Sequence, residues 1–305
     1  MASPVTLALV DPEPGATTAL DEAEAVIREV ARTCTRFEPS ALTRANAAPD
    51  RWHRVPEAVA GAVLEAARAH EATAGRFDPR VLATLLAWGY DRTLPFDVGV
   101  ALPAAVHAAP APADAGPWSP RVRAHAGGWH VRLGPYPVDL GGIAKGLAVR
   151  WAAARLVGAA RGHLVNAGGD CVVAGRAPDG RAWRVGVEDP SGGPDPVLAL
   201  GLTDSACATS SVRRLRWRVG GREVHHLVDP HTGDPGGDGG LASVTVVHPD
   251  PAWAEVLSKD LFLTGAARIR QRAHDDGLAV AWVAPDGHVG TSPALDDLVI
   301  WRRDA

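Results

Sequence analysis

Apolar and polar positions alternate in two different styles along this chain. In the first third the apolar residues recur at helical spacing. Residues 19–35 (ALDEAEAVIREVARTCT) predict an amphipathic helix behind an acidic first turn. The alanine-rich run Pro56 to Ala74 predicts a second helix ending at Gly75, and a third runs through Trp88 and is closed by Gly89. Residues 36–46 read as a loop or short turn rich in polar caps, and Ala74-Gly-Arg-Phe-Asp-Pro-Arg80 as a turn. From Leu94 to Pro120 proline and alanine dominate without a period, which predicts an exposed loop.

After that loop the period shortens. Strands are predicted at 122–124, 129–133, on both sides of the double glycine within 163–175, and at 183–190, 197–202 and 206–209. Residues 215–219 and 223–227 form a hairpin across Gly220-Gly221, and 241–247 a further strand. A single helix is expected from Ala252 to about His274, with 278–283 and 298–301 closing the sheet. Early helices followed by strands place the chain in the α+β class, with much antiparallel pairing.

Composition narrows the setting. The 305 residues suffice for one large domain or two ordinary ones, and 46% hydrophobic with 22% charged residues describes a globular protein. A net charge of -4 with mixed signs gives no electrostatic case for nucleic acid. No stretch approaches the ~20 apolar residues of a membrane span. The N-terminal residues lack a signal pattern, and residues 1–18 read as a flexible or extended N-terminus. Three separated cysteines, Cys34, Cys171 and Cys207, form neither a zinc pattern nor a disulfide framework. The expected compartment is the cytoplasm. Of 31 basic residues only Lys145 and Lys259 are lysines, a hint that both positions want a compact ammonium in place of a planar fork.

The most informative stretch is Val138-Asp-Leu-Gly-Gly-Ile-Ala-Lys-Gly146. An apolar lead, Tyr136 to Leu140, enters a glycine pair as a strand end would, and a helical run from Leu147 to about Ala160 follows. Close backbone approach, a helix start and a lysine suit a phosphate or another anion. The spacing is neither GxGxxG nor a Walker A loop, and an ordinary strand-to-helix turn with a surface lysine would read the same way. The second stretch, His225-His-Leu-Val-Asp-Pro-His-Thr-Gly233, gathers imidazole, carboxylate and hydroxyl around one tight turn. It suits a general base or an orienting group; a packed strand histidine is the plainer reading, and its three histidines complete no metal spacing. Asn166-Ala-Gly-Gly-Asp170 adds a second glycine pair, and Ala208-Thr-Ser-Ser211 with Arg213 and Arg214 adds hydroxyls and cations.

The order of these stretches resembles the ApbE-type FAD:protein FMN transferase family over about residues 20–300. The Asp-Leu-Gly-Gly-Ile-Ala-Lys-Gly and His-x-x-Asp-Pro-x-Thr-Gly motifs are its most specific parts. The resemblance implies one T-fold-related α+β domain spanning residues 1–305, two-lobed, with FAD in a cleft between its lobes. It implies magnesium-assisted cleavage of the FAD pyrophosphate and attachment of FMN through a phosphoester to a threonine or serine of a target flavoprotein, with release of AMP. Hydrolysis of FAD to FMN and AMP, or flavin binding without catalysis, are the alternatives. By position, Asp139, Gly141, Gly142, Ala144 and Lys145 would line the flavin and pyrophosphate, with the Ala144 carbonyl and Glu255 facing the metal. Asn166, Gly168, Gly169, Glu188 and Thr209 would lie along the FAD. His226 would be the base for the incoming hydroxyl, with Asp229 and Thr232 shaping its turn.

One helix departs from the family pattern. Where the family has an aspartate and, four residues on, a threonine, this chain has Glu255 and Lys259. Four residues apart, the two share one helical face, and an exposed pair of this kind contributes only ~0.2–0.5 kcal/mol. Facing the site instead, Lys259 would stand near the usual metal position, and a rearranged metal set would draw on Asp260.

Overall fold

The computed structural model describes residues 4–96, 99–103, 116–125 and 127–303, and its chain divides into two compact units. One comprises residues 1–28, 145–213 and 238–305; the other comprises 29–144 and 214–237.

The first unit is built on a seven-stranded sheet. Its strand order is Val5–Pro12, Ala160–Ala167, Asp170–Ala174, Ser205–Ser211, Ser243–His248, Ala279–Val283 and Val289–Thr291, and every neighbouring pair is antiparallel. A three-stranded sheet of Trp183–Val187, Leu198–Leu202 and Val299–Arg302 turns its apolar residues onto one cluster with it. Leu198, Leu200 and Leu202 are fully buried there at the period of two expected of a strand with one inward face. Each contributes on the order of 1.5–3 kcal/mol by leaving water. The helix Pro251–Thr264 packs against Ser205–Ser211 and Ser243–His248. Ser243–His248 is consequently covered on both faces, so five of its six residues are buried, the polar Ser243 and Thr245 among them.

The second unit carries the helices Ala41–Ala47, Glu57–Ala72 and Leu82–Ala87 with two small sheets. One sheet joins His53–Val55, Gly128–Arg132 and Arg121–His125; the other joins Arg222–His225, Arg216–Val219 and Ala101–Leu102. An aromatic cluster of Trp88, Tyr90, Phe96 and Trp217 packs under the second, where the Trp217 indole donates to the Trp88 carbonyl at 2.8 Å. The three cysteines are free and buried; burial raises the Cys34 and Cys171 thiols to about 11 and takes Cys207 well above its ordinary value.

Several expectations are corrected by this architecture. The 36–46 segment is not all loop, because Ser40 closes a capping box with Thr43 and starts the helix Ala41–Ala47. Residues 136–140 do not form a strand. The Asn46 side chain takes a strand's place there, donating to the Val138 carbonyl at 2.8 Å and accepting the Val138 N–H at 2.9 Å. The single helix expected from 252 to 274 is two, Pro251–Thr264 and Ala266–Asp275, broken where Gly265 adopts a left-handed φ of 83°. Residues 298–301 do not close the main sheet, since Val299–Arg302 pairs with Leu198–Leu202. Within 1–18, Val5–Pro12 is an ordered edge strand and a helix, Ala16–Thr33, begins before Ala19. Within 94–120, Ala101–Leu102 is a short strand, while 104–115 lie outside the described residues.

Candidate active site

The helix Ala144–Leu156 begins directly after the Gly141-Gly142 turn, so Lys145 sits in its first turn. The turn is set from inside the second unit. Arg36 donates from Nε to Asp139 Oδ2 at 3.0 Å, and the other Asp139 oxygen accepts the Gly141 N–H at 2.7 Å. The Arg36 guanidinium also stacks over Phe37 and Tyr90, 4.2 Å and 4.5 Å from their ring centroids. Ala144 is buried and donates its N–H to the Leu140 carbonyl at 2.9 Å.

Lys145 enters a cluster of four charges within the first unit. Its ammonium donates to Asp170 Oδ2 and lies 3.2 Å from Glu255 Oε1. Lys259 reaches the same Glu255 oxygen at 3.2 Å, one helical turn along. The second Glu255 oxygen accepts the Gly146 N–H at 2.8 Å. Gly146 is required by this approach: a Cβ there would stand 2.5 Å from the Pro251 carbonyl oxygen and 2.6 Å from Ala252 Cα. Burial pushes the Glu255 carboxyl up, but the two ammoniums and the Gly146 N–H outweigh it and hold the carboxyl below its ordinary value. Burial likewise draws Lys145 below the ordinary lysine value, with Glu255 opposing and Lys259 adding to the shift. Glu255 and Lys259 are therefore not an exposed surface pair; the Glu255 side chain is 1% exposed.

The remaining residues expected in the first unit occupy its strand ends. Gly168 and Gly169, at φ 65° and 101°, form the two-residue turn of the hairpin in which Ala167 faces Asp170, a turn that needs positive φ at both positions. Asn166 accepts the Gly169 N–H at 2.9 Å, and Thr209 shares a 2.8 Å hydroxyl contact with Thr245. The Thr209 N–H points at Asp170 Oδ1 at 3.4 Å, so Asp170 joins this strand to Lys145. Glu188 is exposed and paired with Arg213 at 2.5 Å. Sequence reasoning alone misses Asp170 as a site residue, and its place at the end of the Asn166-Ala-Gly-Gly-Asp170 stretch is the one signal for it.

In the second unit the His226 N–H donates to the Leu215 carbonyl at 3.2 Å, just past the strand Arg222–His225. Asp229 accepts the His231 N–H at 2.8 Å on its side chain and the Gly233 N–H at 2.8 Å on its carbonyl. Thr232 accepts the Asp234 N–H at 3.1 Å. Asp229 and Thr232 thus hold a closed turn directly after His226. Burial takes neighbouring His225 down to about 4, with Glu223 pulling the other way.

A match to the ApbE family model extends over residues 1–282. The chain belongs to the ApbE family. An FAD:protein FMN transferase of Klebsiella pneumoniae is 30% identical over 81% of this chain and 71% of its own length. One from Haemophilus influenzae is 32% identical over 47% of this chain and 42% of its own length. Among solved structures, the ApbE protein of Thermotoga maritima superposes with a TM-score of 0.75 at 24% identity, covering 98% of this chain and 94% of that one. The ApbE-like α+β fold expected from the sequence is the fold observed.

Magnesium, which the resemblance implies, does not fit Glu255 as it stands. That ion requires oxygen donors at about 2.0–2.1 Å in octahedral order. Here one Glu255 oxygen faces a backbone N–H and the other faces two ammoniums. Among the described residues no group of three or more His, Cys, Asp or Glu is arranged to hold a metal ion. No described helix is long and apolar enough to cross a membrane.

Proposed function

We propose that this chain is an FAD:protein FMN transferase. The observation that carries the reading is the family match over residues 1–282, and the fixed ammonium of Lys145 beside the glycine turn supplies matching chemistry. The transferred group is the FMN half of FAD. A serine or threonine hydroxyl of a target flavoprotein attacks the FMN-side phosphorus, the bond from that phosphorus to the bridging oxygen breaks, and AMP leaves. His226 takes the hydroxyl proton, the Asp229–Thr232 turn orients the imidazole, and Lys145 offsets charge gathering on the pyrophosphate. Asp139, Gly141, Gly142 and Ala144 line the flavin and pyrophosphate in this reading, while Asn166, Gly168, Gly169, Glu188 and Thr209 lie further along the FAD. The donor set at Glu255 supports a reaction in which side-chain cations carry the electrostatic work.

The test is mass spectrometry of the purified chain with FAD and a peptide bearing a candidate acceptor threonine. An FMN adduct on the peptide with an equal amount of AMP is expected. AMP with free FMN and no adduct would make the chain an FAD pyrophosphatase, and intact FAD would make it a binding protein.

A further inference from the structure

The two lysines of this chain converge on one buried carboxylate, and every other basic side chain is arginine. The cluster has a polarity. Its carboxylates are sealed, with Asp170 and Glu255 side chains 3% and 1% exposed, whereas the Lys145 and Lys259 side chains are 28% and 17% exposed. The open side therefore presents cations. Each ammonium has three donors. Lys145 directs two at Asp170 and Glu255; Lys259 directs two at Glu255, at its side chain and, at 3.4 Å, its carbonyl. Both keep a further N–H for a ligand, and the start of the helix Ala144–Leu156 adds its positive end beside Lys145. Ser258, the neighbour of Lys259, is fixed to Ser210 at 2.8 Å and to the Glu255 carbonyl at 2.9 Å, which pins this turn of helix against the sheet.

We propose that Lys259 is a built-in cation that receives the pyrophosphate of FAD together with Lys145, so that this chain binds FAD without a divalent metal ion. The proposal rests on the flavin reading above and gives that reading a specific electrostatic form. Glu255 is the counter-charge that aims both ammoniums. A magnesium ion would have to displace two ammoniums and a backbone N–H from this carboxylate, which makes the lysine-occupied arrangement self-sufficient.

Fluorescence titration of FAD into the full-length chain, in EDTA and again in excess magnesium, tests this. Wild-type affinity should agree between the two media to within about twofold, and Lys259→Met should lower it about tenfold or more in both, the scale of a lost charge-assisted hydrogen bond. Riboflavin, which carries the ring and no phosphate, should bind wild type and Lys259→Met alike. A wild-type affinity that collapses in EDTA and returns with magnesium overturns the proposal. So does an unchanged affinity in Lys259→Met, or an equal loss for FAD and riboflavin. Should that variant fail to fold, the wild-type comparison in EDTA and magnesium decides alone. If wild type binds no FAD in either medium, the flavin reading itself falls and the proposal with it. That result is distinct from magnesium-dependent binding, which overturns the lysine role and leaves the flavin reading standing.

Discussion

In the cluster around Glu255 the hydrogen bonds reach across 25 residues to Asp170 and 109 residues to Gly146. In the turn that follows His226 the bonds stay local, from His231 to Asp229 and Asp229 to Asp234 out to Gly236 and Leu227, nine residues apart. The first is buried between a helix start, a strand end and a packed helix; the second lies toward solvent, with Thr232 exposed. A cluster assembled from distant segments is inseparable from folding, because removing one member strands the others in a poorly solvated place. A locally coded turn can lose a group and keep its fold. The two regions should therefore fail differently when altered, one in stability and the other in rate.

The sharpest separation comes from His226→Ala. As general base it should lower FMN transfer by about 10²–10⁴ while FAD affinity and melting temperature hold. Parallel loss of rate and binding, read by peptide flavinylation and FAD titration, would erase the distinction between the regions. Glu255→Ala should act on stability, the quantity that His226→Ala spares. It leaves Lys145 and Lys259 facing each other without their shared carboxylate and should cost about 3–5 kcal/mol of unfolding free energy in denaturant titration. A loss below ~1 kcal/mol would show that the cluster is not structural.

The pH dependence probes the border of the second region. His225 is held at about 4 by burial against an ordinary 6.5. Its neutral form therefore stabilises the fold fully above about 6.5, and this contribution disappears as pH falls from 6.5 through 4, up to about 3 kcal/mol. Melting temperature should drop across that window and flatten in His225→Gln; an equal drop in both would assign the acid sensitivity elsewhere. The smallest effect is expected of Thr232→Ala, which removes one exposed hydroxyl acceptor from the Asp234 N–H. A change of about 0.5–1.5 kcal/mol or less in stability, with modest slowing of transfer, fits a local turn. A Glu255-sized loss would contradict it.

The same contrast explains what the sequence disclosed. The His226–Gly233 turn was legible because its partners are sequence neighbours and Asp, Pro, Thr and Gly each favour a turn for local reasons. The Gly220-Gly221 and Gly168-Gly169 hairpins were legible on the same ground, as were most strands through their period. The role of Asp170 was not, because it meets Lys145 only when the hairpin's end is carried to the helix start. The burial of Glu255 beneath Lys259 was also hidden, since four-residue spacing on a helix is the same for a solvated pair and for one whose carboxylate is sealed. Asn46 standing in for a β-strand partner of Val138 left no mark in periodicity at all, and Gly265 broke a helix whose apolar pattern ran on through it.

The sealed cysteines have a practical consequence. Burial holds all three thiols protonated at neutral pH, and it is the thiolate that reacts. The native protein is thus close to silent toward maleimide reagents without any cysteine being removed. Val157, 76% exposed one residue beyond the helix that begins at Ala144, is a natural place for a single introduced thiol. A fluorophore attached there would ride on the helix that carries Lys145 and report the arrival of a ligand at its other end.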